Sequence, residues 1–254
     1  WDPVLAVSLG AGETTLARLT AAYAMLVNGG KSVTPVTIDQ VQNRYGEAVY
    51  TSDSRECPGC DAAGWTGQEE PVLADDREQV VDPRTAYQIV SMLEGVVERG
   101  TARRAVGAKV KQPVAGKTGT TNDYIDAWFV GFSPDLAIGV FIGFDEPKPM
   151  GRGETGGGLA APVFRDVMKE ALKDTPAVPF RIPPGITLVR VDAKSGLVAG
   201  PDSQNVILEA FKEGTEPRAP GSVIRGTTTD DYSASPAQTS RRPTPTLGTG
   251  TGGL

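Results

Sequence analysis

The 254-residue sequence predicts an α+β fold, in which helices cover an antiparallel sheet. Residues 14–28 and 82–100 repeat apolar side chains at steps of three and four, as amphipathic helices do. Residues 114–144 change to short extended runs separated by turn residues. A third helical pattern follows at residues 161–172. This order of helices, strands and a final helix is typical of α+β layers.

The first predicted helix has an apolar face and a glycine stop. Gly29-Gly30 stands where a helix C-cap is expected. The apolar face consists of Leu16, Leu19, Ala22, Tyr23, Leu26 and Val27. Residues 33–38 and 39–50 look extended, and Tyr45-Gly46-Glu47 predicts a hairpin turn in the second of them. The polar residues 51–76 predict a loop.

The second predicted helix begins with a strong N-terminal signal. Asp82 is a suitable N-cap, and Pro83 suits the first helical position. The helix is expected to end at Gly100, after an apolar face of Tyr87, Val90, Leu93, Val96 and Val97.

Three predicted strands follow, at residues 114–120, 127–132 and 136–144. Only Ser133-Pro134-Asp135 separates the last two, so these strands are expected to pair antiparallel. Aromatic residues on both faces of the middle strand are expected in the core, namely Trp128, Phe129 and Phe132.

Composition changes toward the C-terminus. Residues 178–216 are punctuated by proline and contain a strand-like run at residues 187–191. Beyond Arg225 the sequence is mostly Thr, Ser, Pro and Gly, which is typical of disorder. We therefore expect a main unit at residues 1–173, a small extension at 174–225 and a disordered tail at 226–254.

Charge and composition exclude several classes of function. The formal net charge of -6 argues against a nucleic-acid partner, because phosphate would be repelled. The chain has no histidine, which excludes Ser-His-Asp triads and nearly all imidazole zinc sites. A general base must therefore be Lys, Asp, Glu or Tyr. Trp1-Asp2-Pro3 matches neither an initiator Met nor a signal peptide, so we expect a fragment or processed product.

The two cysteines, Cys57 and Cys60, are separated by Pro-Gly. This spacing fits a redox pair, half of a zinc site or a small structural disulfide. Their polar, turn-rich surroundings favour a disulfide that pins a loop. No metal and no cofactor are predicted.

The candidate site is a strand that combines lysine, hydroxyl groups and glycines, AGKTGTTN at residues 115–122. Gly116 and Gly119 would let an extended peptide approach and pair with the strand. Lys117 and the hydroxyls of Thr118 and Thr120 would hold the carboxylate of that peptide through charge-assisted hydrogen bonds. By spacing alone, a Lys-Thr-Gly triplet also fits an ordinary solvated strand end.

The wider context resembles a known family. The run PVAGKTGTTNDYIDAWFVGFSPDLAIGVFIGF at residues 113–144 is similar to the class A, bifunctional penicillin-binding proteins. LGAGETTLARLTAAYAMLVNGGKSVTP at 9–35 and TGGGLAAPVFRDVM at 155–168 resemble the same family in the same order. The resemblance covers residues 4–172, and residues 178–217 look like the C-terminal extension of proteobacterial members. It implies a penicillin-binding or serine β-lactamase-like fold.

Family chemistry rests on S-x-x-K, S-x-N and K-T-G motifs around one cleft. Only K-T-G occurs here in its expected place, because no serine of the chain is followed by lysine three positions later. Ser203-Gln204-Asn205 matches S-x-N but follows K-T-G, so we interpret it as a turn. The resemblance therefore implies the C-terminal part of a transpeptidase domain, without the helical half that carries the nucleophilic serine.

The resemblance also implies roles for individual residues. A serine outside the chain would attack the D-Ala-D-Ala carbonyl of a peptidoglycan stem peptide. Lys117 would be the catalytic lysine of the cleft, and Thr118 and Thr120 would bind the terminal carboxylate, with the Thr120 N–H as oxyanion donor. Tyr124 and Asp126 are candidates for the cleft border.

The implied partners are stem peptides and β-lactams. The whole protein is expected to be membrane-anchored, to act in a cell-wall synthesis complex on the periplasmic face of the inner membrane, and to carry a glycosyltransferase domain. Two alternatives stay open: a serine β-lactamase or D,D-carboxypeptidase of the same fold, and a non-catalytic peptide-binding module.

A structural expectation follows from the missing helical half. The strand at 117–120 should form an exposed sheet edge that faces a groove. Leu16, Leu19 and Val90 should be partly uncovered, because the helices that would cover them lie outside the chain.

Overall fold

The computed structural model describes residues 12–60 and 73–217, together with residues 5, 7, 10, 64, 66, 67 and 69. Within these residues the structure contains three α-helices and seven β-strands. The helices are α1 (Leu16–Val27), α2 (Pro83–Glu98) and α3 (Ala160–Ala171). The strands are β1 (Gln40–Gln42), β2 (Ala48–Thr51), β3 (Ala115–Thr120), β4 (Ala127–Phe132), β5 (Ala137–Ile142), β6 (Ile186–Asp192) and β7 (Val206–Lys212). The predicted tail lies outside the described residues.

The central sheet has the strand order β3-β4-β5, and both pairings are antiparallel. The turn between β4 and β5 is held by Ser133, whose Oγ accepts hydrogen bonds from the amides of Asp135 and Leu136, each 3.2 Å away. The predicted hairpin is thus confirmed.

Local signals place the ends of the first two helices. The Asp82 carboxylate accepts hydrogen bonds from the amides of Arg84 and Thr85, at 2.9 and 3.2 Å, which confirms the N-cap of α2. After α1, Gly29 and Gly30 have φ angles of 69° and 83°, a region that glycine adopts without steric cost. α2 itself ends at Glu98, before the predicted Gly100.

The two faces of the central sheet are packed by different helices. On one face, the Phe164 ring of α3 lies 4.6 Å from the Phe129 ring of β4. On the other face, Phe132 contacts Tyr23 of α1 and Phe180, with ring centroids 6.3 and 5.7 Å apart. The sheet is therefore the middle one of three layers.

Two expectations about burial need correction. Val90 is only 2% exposed, because it packs with Phe132 and Phe180, so the prediction that it is partly uncovered is wrong. Leu16 and Leu19 are half-buried, as expected. Phe129 and Phe132 are core residues, but Trp128 is half-buried, and its ring lies 4.6 Å from the exposed Phe141 ring at a tilt of 51°.

Of the two extended segments predicted before α2, only the second forms strands. β1 and β2 form the predicted hairpin, and the side-chain oxygen of Asn43 accepts the amides of Tyr45 and Glu47 in its turn. Residues 33–38 form no strand; the nearest pairing is a single bridge between Lys31 and Gln79. Most of that segment is exposed, and Pro35 has no amide hydrogen to donate to a ladder.

The C-terminal extension is a hairpin docked on α2. β6 contains the predicted strand-like run, whereas its partner β7 was not predicted. Gln88 donates a hydrogen bond to the Ala210 carbonyl at 3.0 Å, and the Lys212 ammonium donates to the Thr85 hydroxyl at 2.7 Å. No helix in the described part of the chain is both long enough and apolar enough to cross a membrane.

Candidate active site

β3 is an edge strand. Its hydrogen-bonded neighbour among the described residues is β4, which pairs Lys117 with Val130 and Thr120 with Ala127. The backbone groups on its other side can therefore pair with an added extended segment. This agrees with the predicted exposed edge.

Both glycines of β3 lie close to atoms of β4. Gly116 is buried, and a Cβ at this position would lie 2.9 Å from the Gly131 Cα and the Phe129 ring. A Cβ on Gly119 would lie 3.1 Å from the Trp128 Cβ. A side chain at either position would crowd β4, and the role of the two glycines in the approach of a ligand stays a prediction.

Lys117 presents its charge to solvent. Its ammonium donates a hydrogen bond to the Thr118 carbonyl at 2.8 Å and lies 3.5 Å from the Thr118 hydroxyl. None of the ion pairs between described residues involves Lys117. Its positive charge is thus available to an anionic ligand.

The two threonine hydroxyls of the strand are held by groups from other elements. The Thr118 Oγ1 lies 3.1 Å from the Thr101 Oγ1, in the loop that follows α2. The Thr120 Oγ1 accepts a hydrogen bond of 3.1 Å from the Gly156 amide, in the glycine turn before α3. Neither Thr101 nor Gly156 was a predicted site residue.

Steric constraints bring these supporting groups close to β3. A Cβ on Gly156 would collide with the carbonyl oxygens of Trp128 and Gly119, so only glycine lets the turn pass over the sheet. A Cβ on Gly157 would lie 3.4 Å from the Thr101 carbonyl oxygen. The triple glycine in the sequence was the available signal for this close approach, whereas nothing local marks Thr101.

The loop after β3 has a constrained backbone. Asp123 and Tyr124 have φ angles of 60° and 56°, a region that is uncommon for residues other than glycine and especially for a bulky one. The Thr121 hydroxyl accepts the Asp126 amide at 2.8 Å, and the Tyr124 carbonyl accepts the Met150 amide at 3.0 Å. Such outliers cluster at functional sites.

The predicted cleft-border residues lie in or beside this loop. Tyr124 is half-buried and lines a shallow depression together with Thr121, Pro149 and Arg152. Asp126 is half-buried immediately before β4, and its carboxylate lies beside Gly143. A direct role in binding stays a prediction for both residues.

The remaining candidates lie elsewhere. Cys57 and Cys60 are joined as a disulfide, with their Cα atoms 5.4 Å apart. Among the described residues, no group of three or more His, Cys, Asp or Glu side chains could hold a metal ion. Ser203 lies in the connection between β6 and β7, where its Oγ accepts the Gly200 amide at 3.1 Å, consistent with a turn.

Two family models match the chain. The model for the penicillin binding protein transpeptidase domain matches residues 4–169. The model for the penicillin-binding protein 1A, C-terminal domain, matches residues 182–223.

Curated relatives are similar over most of the chain. Penicillin-binding protein 1A of Rickettsia conorii is 39% identical over 212 residues, which are 82% of this chain and 26% of that protein. Penicillin-binding protein 1A of Pseudomonas aeruginosa is 35% identical over an alignment of 262 residues, covering 90% of this chain and 32% of that protein. The chain thus spans about a quarter to a third of the length of these relatives.

Solved structures agree with the fold. The crystal structure of penicillin-binding protein 1A from Haemophilus influenzae superposes with a TM-score of 0.70 at 26% identity, covering 86% of this chain and 35% of that one. The penicillin-binding protein PonA1 from Mycobacterium tuberculosis gives a TM-score of 0.55 at 25% identity, covering 71% and 44%.

Proposed function

This chain belongs to the penicillin-binding transpeptidase family, and we propose that it supplies the substrate-binding strand of a D,D-transpeptidase that crosslinks peptidoglycan. The substrate is a stem peptide that ends in D-Ala-D-Ala, and β-lactams bind in its place. The active serine belongs to an S-x-x-K segment, a motif that the sequence of this chain lacks.

The edge strand β3 is the observation that carries this proposal. It combines an open row of backbone groups, an unpaired cation on Lys117 and two hydroxyls on Thr118 and Thr120. An extended peptide added to this edge would place its terminal carboxylate beside those three side chains.

The reaction follows from these groups. The serine Oγ attacks the carbonyl carbon between the two D-alanines, and the oxyanion that forms accepts hydrogen bonds, one of them from the Thr120 N–H. The C–N bond breaks, and the amine of the leaving D-alanine takes up the proton that the serine hydroxyl has lost. The amine of a second stem peptide then attacks the acyl-enzyme, which forms the crosslink and releases the serine. Lys117 stabilises negative charge in the cleft throughout.

The whole protein is proposed to resemble its longer relatives. We expect it to carry a glycosyltransferase domain and a membrane anchor, and to act in a cell-wall synthesis complex on the periplasmic face of the inner membrane. The match of residues 182–223 to a C-terminal domain of penicillin-binding protein 1A supports this assignment.

Lys117→Ala in the full-length protein that carries this sequence tests the proposal. Acylation by a fluorescent penicillin should fall by roughly a hundredfold, the scale of a lost electrostatic contact to the reacting groups. Thermal unfolding should change little, because Lys117 is exposed. Lys111→Ala is the matched control, because Lys111 is also exposed but lies before β3 begins.

Two outcomes would contradict the proposal. Unchanged acylation of Lys117→Ala would remove this lysine from the site. Rapid hydrolysis of the penicillin, with no lasting label on the unsubstituted protein, would instead assign a serine β-lactamase of the same fold.

A further inference from the structure

We propose that Thr101 is a positioning residue for carboxylate recognition: its hydroxyl orients the Thr118 hydroxyl so that Thr118 donates to the carboxylate of the substrate. The inference rests on the proposed function and adds a residue outside the K-T-G strand. It assigns to the loop after α2 a part in selecting anionic ligands over neutral ones.

The geometry joins two elements at one hydroxyl pair. Thr118 Oγ1 and Thr101 Oγ1 are 3.1 Å apart, within hydrogen-bond distance, and either atom can be the donor. Thr118 follows Lys117 on β3, and the Lys117 ammonium lies 3.5 Å from Thr118 Oγ1. A carboxylate that reaches Lys117 therefore also reaches Thr118.

The number of hydrogens available determines which of the two hydroxyls donates to the other when an anion binds. A threonine hydroxyl has one hydrogen to donate, and a carboxylate can only accept. Once Thr118 donates its hydrogen to the carboxylate, its bond to Thr101 survives only if Thr101 is the donor. The result is a chain from Thr101 through Thr118 to the ligand, in which each bond polarises the next.

The neighbouring threonine shows the same arrangement with an obligate donor. Thr120 Oγ1 accepts the Gly156 amide at 3.1 Å, and an amide N–H cannot reverse its direction. The hydrogen of Thr120 is therefore left for a ligand. Thr101 gives Thr118 the equivalent support through a side chain, which can be changed without touching the backbone.

Thr101→Val removes the donor while keeping the branched shape of the side chain. The test measures the second-order rate of acylation of the full-length protein by benzylpenicillin and by its methyl ester, which lacks the negative charge. We expect the rate with the acid to fall about five- to tenfold, the effect of one lost hydrogen bond. The rate with the ester should stay the same, so the acid-to-ester ratio falls. Thr101→Ser, which keeps the hydroxyl, should retain the acid rate and the acid-to-ester ratio of the unsubstituted protein.

Other results would overturn the proposal. If both rates fall together, Thr101 has only a structural role. If neither falls, or only the ester rate falls, Thr101 does not orient Thr118. The thermal midpoint of Thr101→Val is measured alongside, and a large loss of stability shared by Thr101→Ser would also assign a structural role. Failure of the unsubstituted protein to be acylated would reject the proposed function itself, which distinguishes the two.

Discussion

At the scale of single residues, the site depends on positions where a side chain is absent as much as on those where one is present. Gly156 passes over the backbone of β3 and β4 and brings its amide to the Thr120 hydroxyl. Gly116 and Gly119 give room to Gly131 and Trp128 on the neighbouring strand. These contacts hold the threonines in place before any ligand arrives, which lowers the cost of ordering them on binding.

Gly156→Ala should destabilise the chain by roughly 1–3 kcal/mol, because the new Cβ would collide with two carbonyl oxygens that cannot move without distorting the sheet. Gly158→Ala is the matched control: a Cβ there meets Thr155 atoms at 3.4 Å or more, an ordinary contact. Urea unfolding of both variants measures the difference. Equal stability of the two would show that the turn adapts and that Gly156 is not sterically required.

At the scale of secondary structure, α2 contacts two different parts of the chain. It packs Val90 and Leu93 into the core and carries the C-terminal hairpin on another side through Gln88 and Thr85. Between these contacts lies Glu94, whose carboxyl is partly buried. Burial, with a further contribution from the nearby Glu98, raises the pKa of Glu94 from 4.5 to about 7, and Arg99 opposes the rise.

This raised pKa predicts how stability depends on pH. Below pH 4.5 the carboxyl is protonated in both the folded and the unfolded state, and it has no effect on their difference. Between pH 4.5 and about 7 the unfolded chain loses the proton while the folded chain keeps it, so folding becomes less favourable as pH rises. The contribution of Glu94 to the free energy of unfolding is therefore largest below pH 4.5 and decreases as the pH rises to about 7.

Glu94→Gln removes the titration and should raise the free energy of unfolding at pH 8 relative to the unsubstituted chain, with no such gain at pH 4. Urea unfolding at the two pH values checks this. Glu98→Gln, on the exposed side of the same helix, should have the smaller effect. An equal gain for Glu94→Gln at both pH values would contradict a titrating carboxyl.

At the scale of the whole molecule, the chain carries one wall of the proposed cleft. The core on both sides of the central sheet is packed, with Phe129, Phe132, Phe164 and Met168 at 0% exposure. Leu16, Leu19 and Trp128 are only half-buried. The core of the sheet is therefore well packed even though the chain lacks the S-x-x-K serine of the proposed reaction.

Incubated alone with excess fluorescent penicillin, this chain should form no covalent adduct, since none of its serines belongs to an S-x-x-K sequence. Gel fluorescence and intact-mass spectrometry provide the measurement, with a full-length penicillin-binding protein 1A as positive control. A stoichiometric adduct that maps to any serine of the chain would show that a nucleophile is present after all.

Features with local causes could be predicted from the residues alone. Periodic apolar residues, the Asp82-Pro83 start and the Gly29-Gly30 stop predicted the helices, and the short Ser133-Pro134-Asp135 turn predicted the antiparallel hairpin. The K-T-G strand and its family were also readable from the residues. β7 was missed because its strand pattern follows a proline- and turn-rich segment, and its pairing with β6 and docking on α2 are non-local.

The contacts that support the site could not be predicted without the three-dimensional fold. The pairs Thr101–Thr118 and Gly156–Thr120 join residues 17 and 36 positions apart, and no local pattern encodes such contacts. Burial likewise decided that Gly116 serves packing and that Val90 is covered. Sequence patterns report what a residue can do, whereas hydrogen-bond partners and burial depend on which distant segments the sheet and helices bring together.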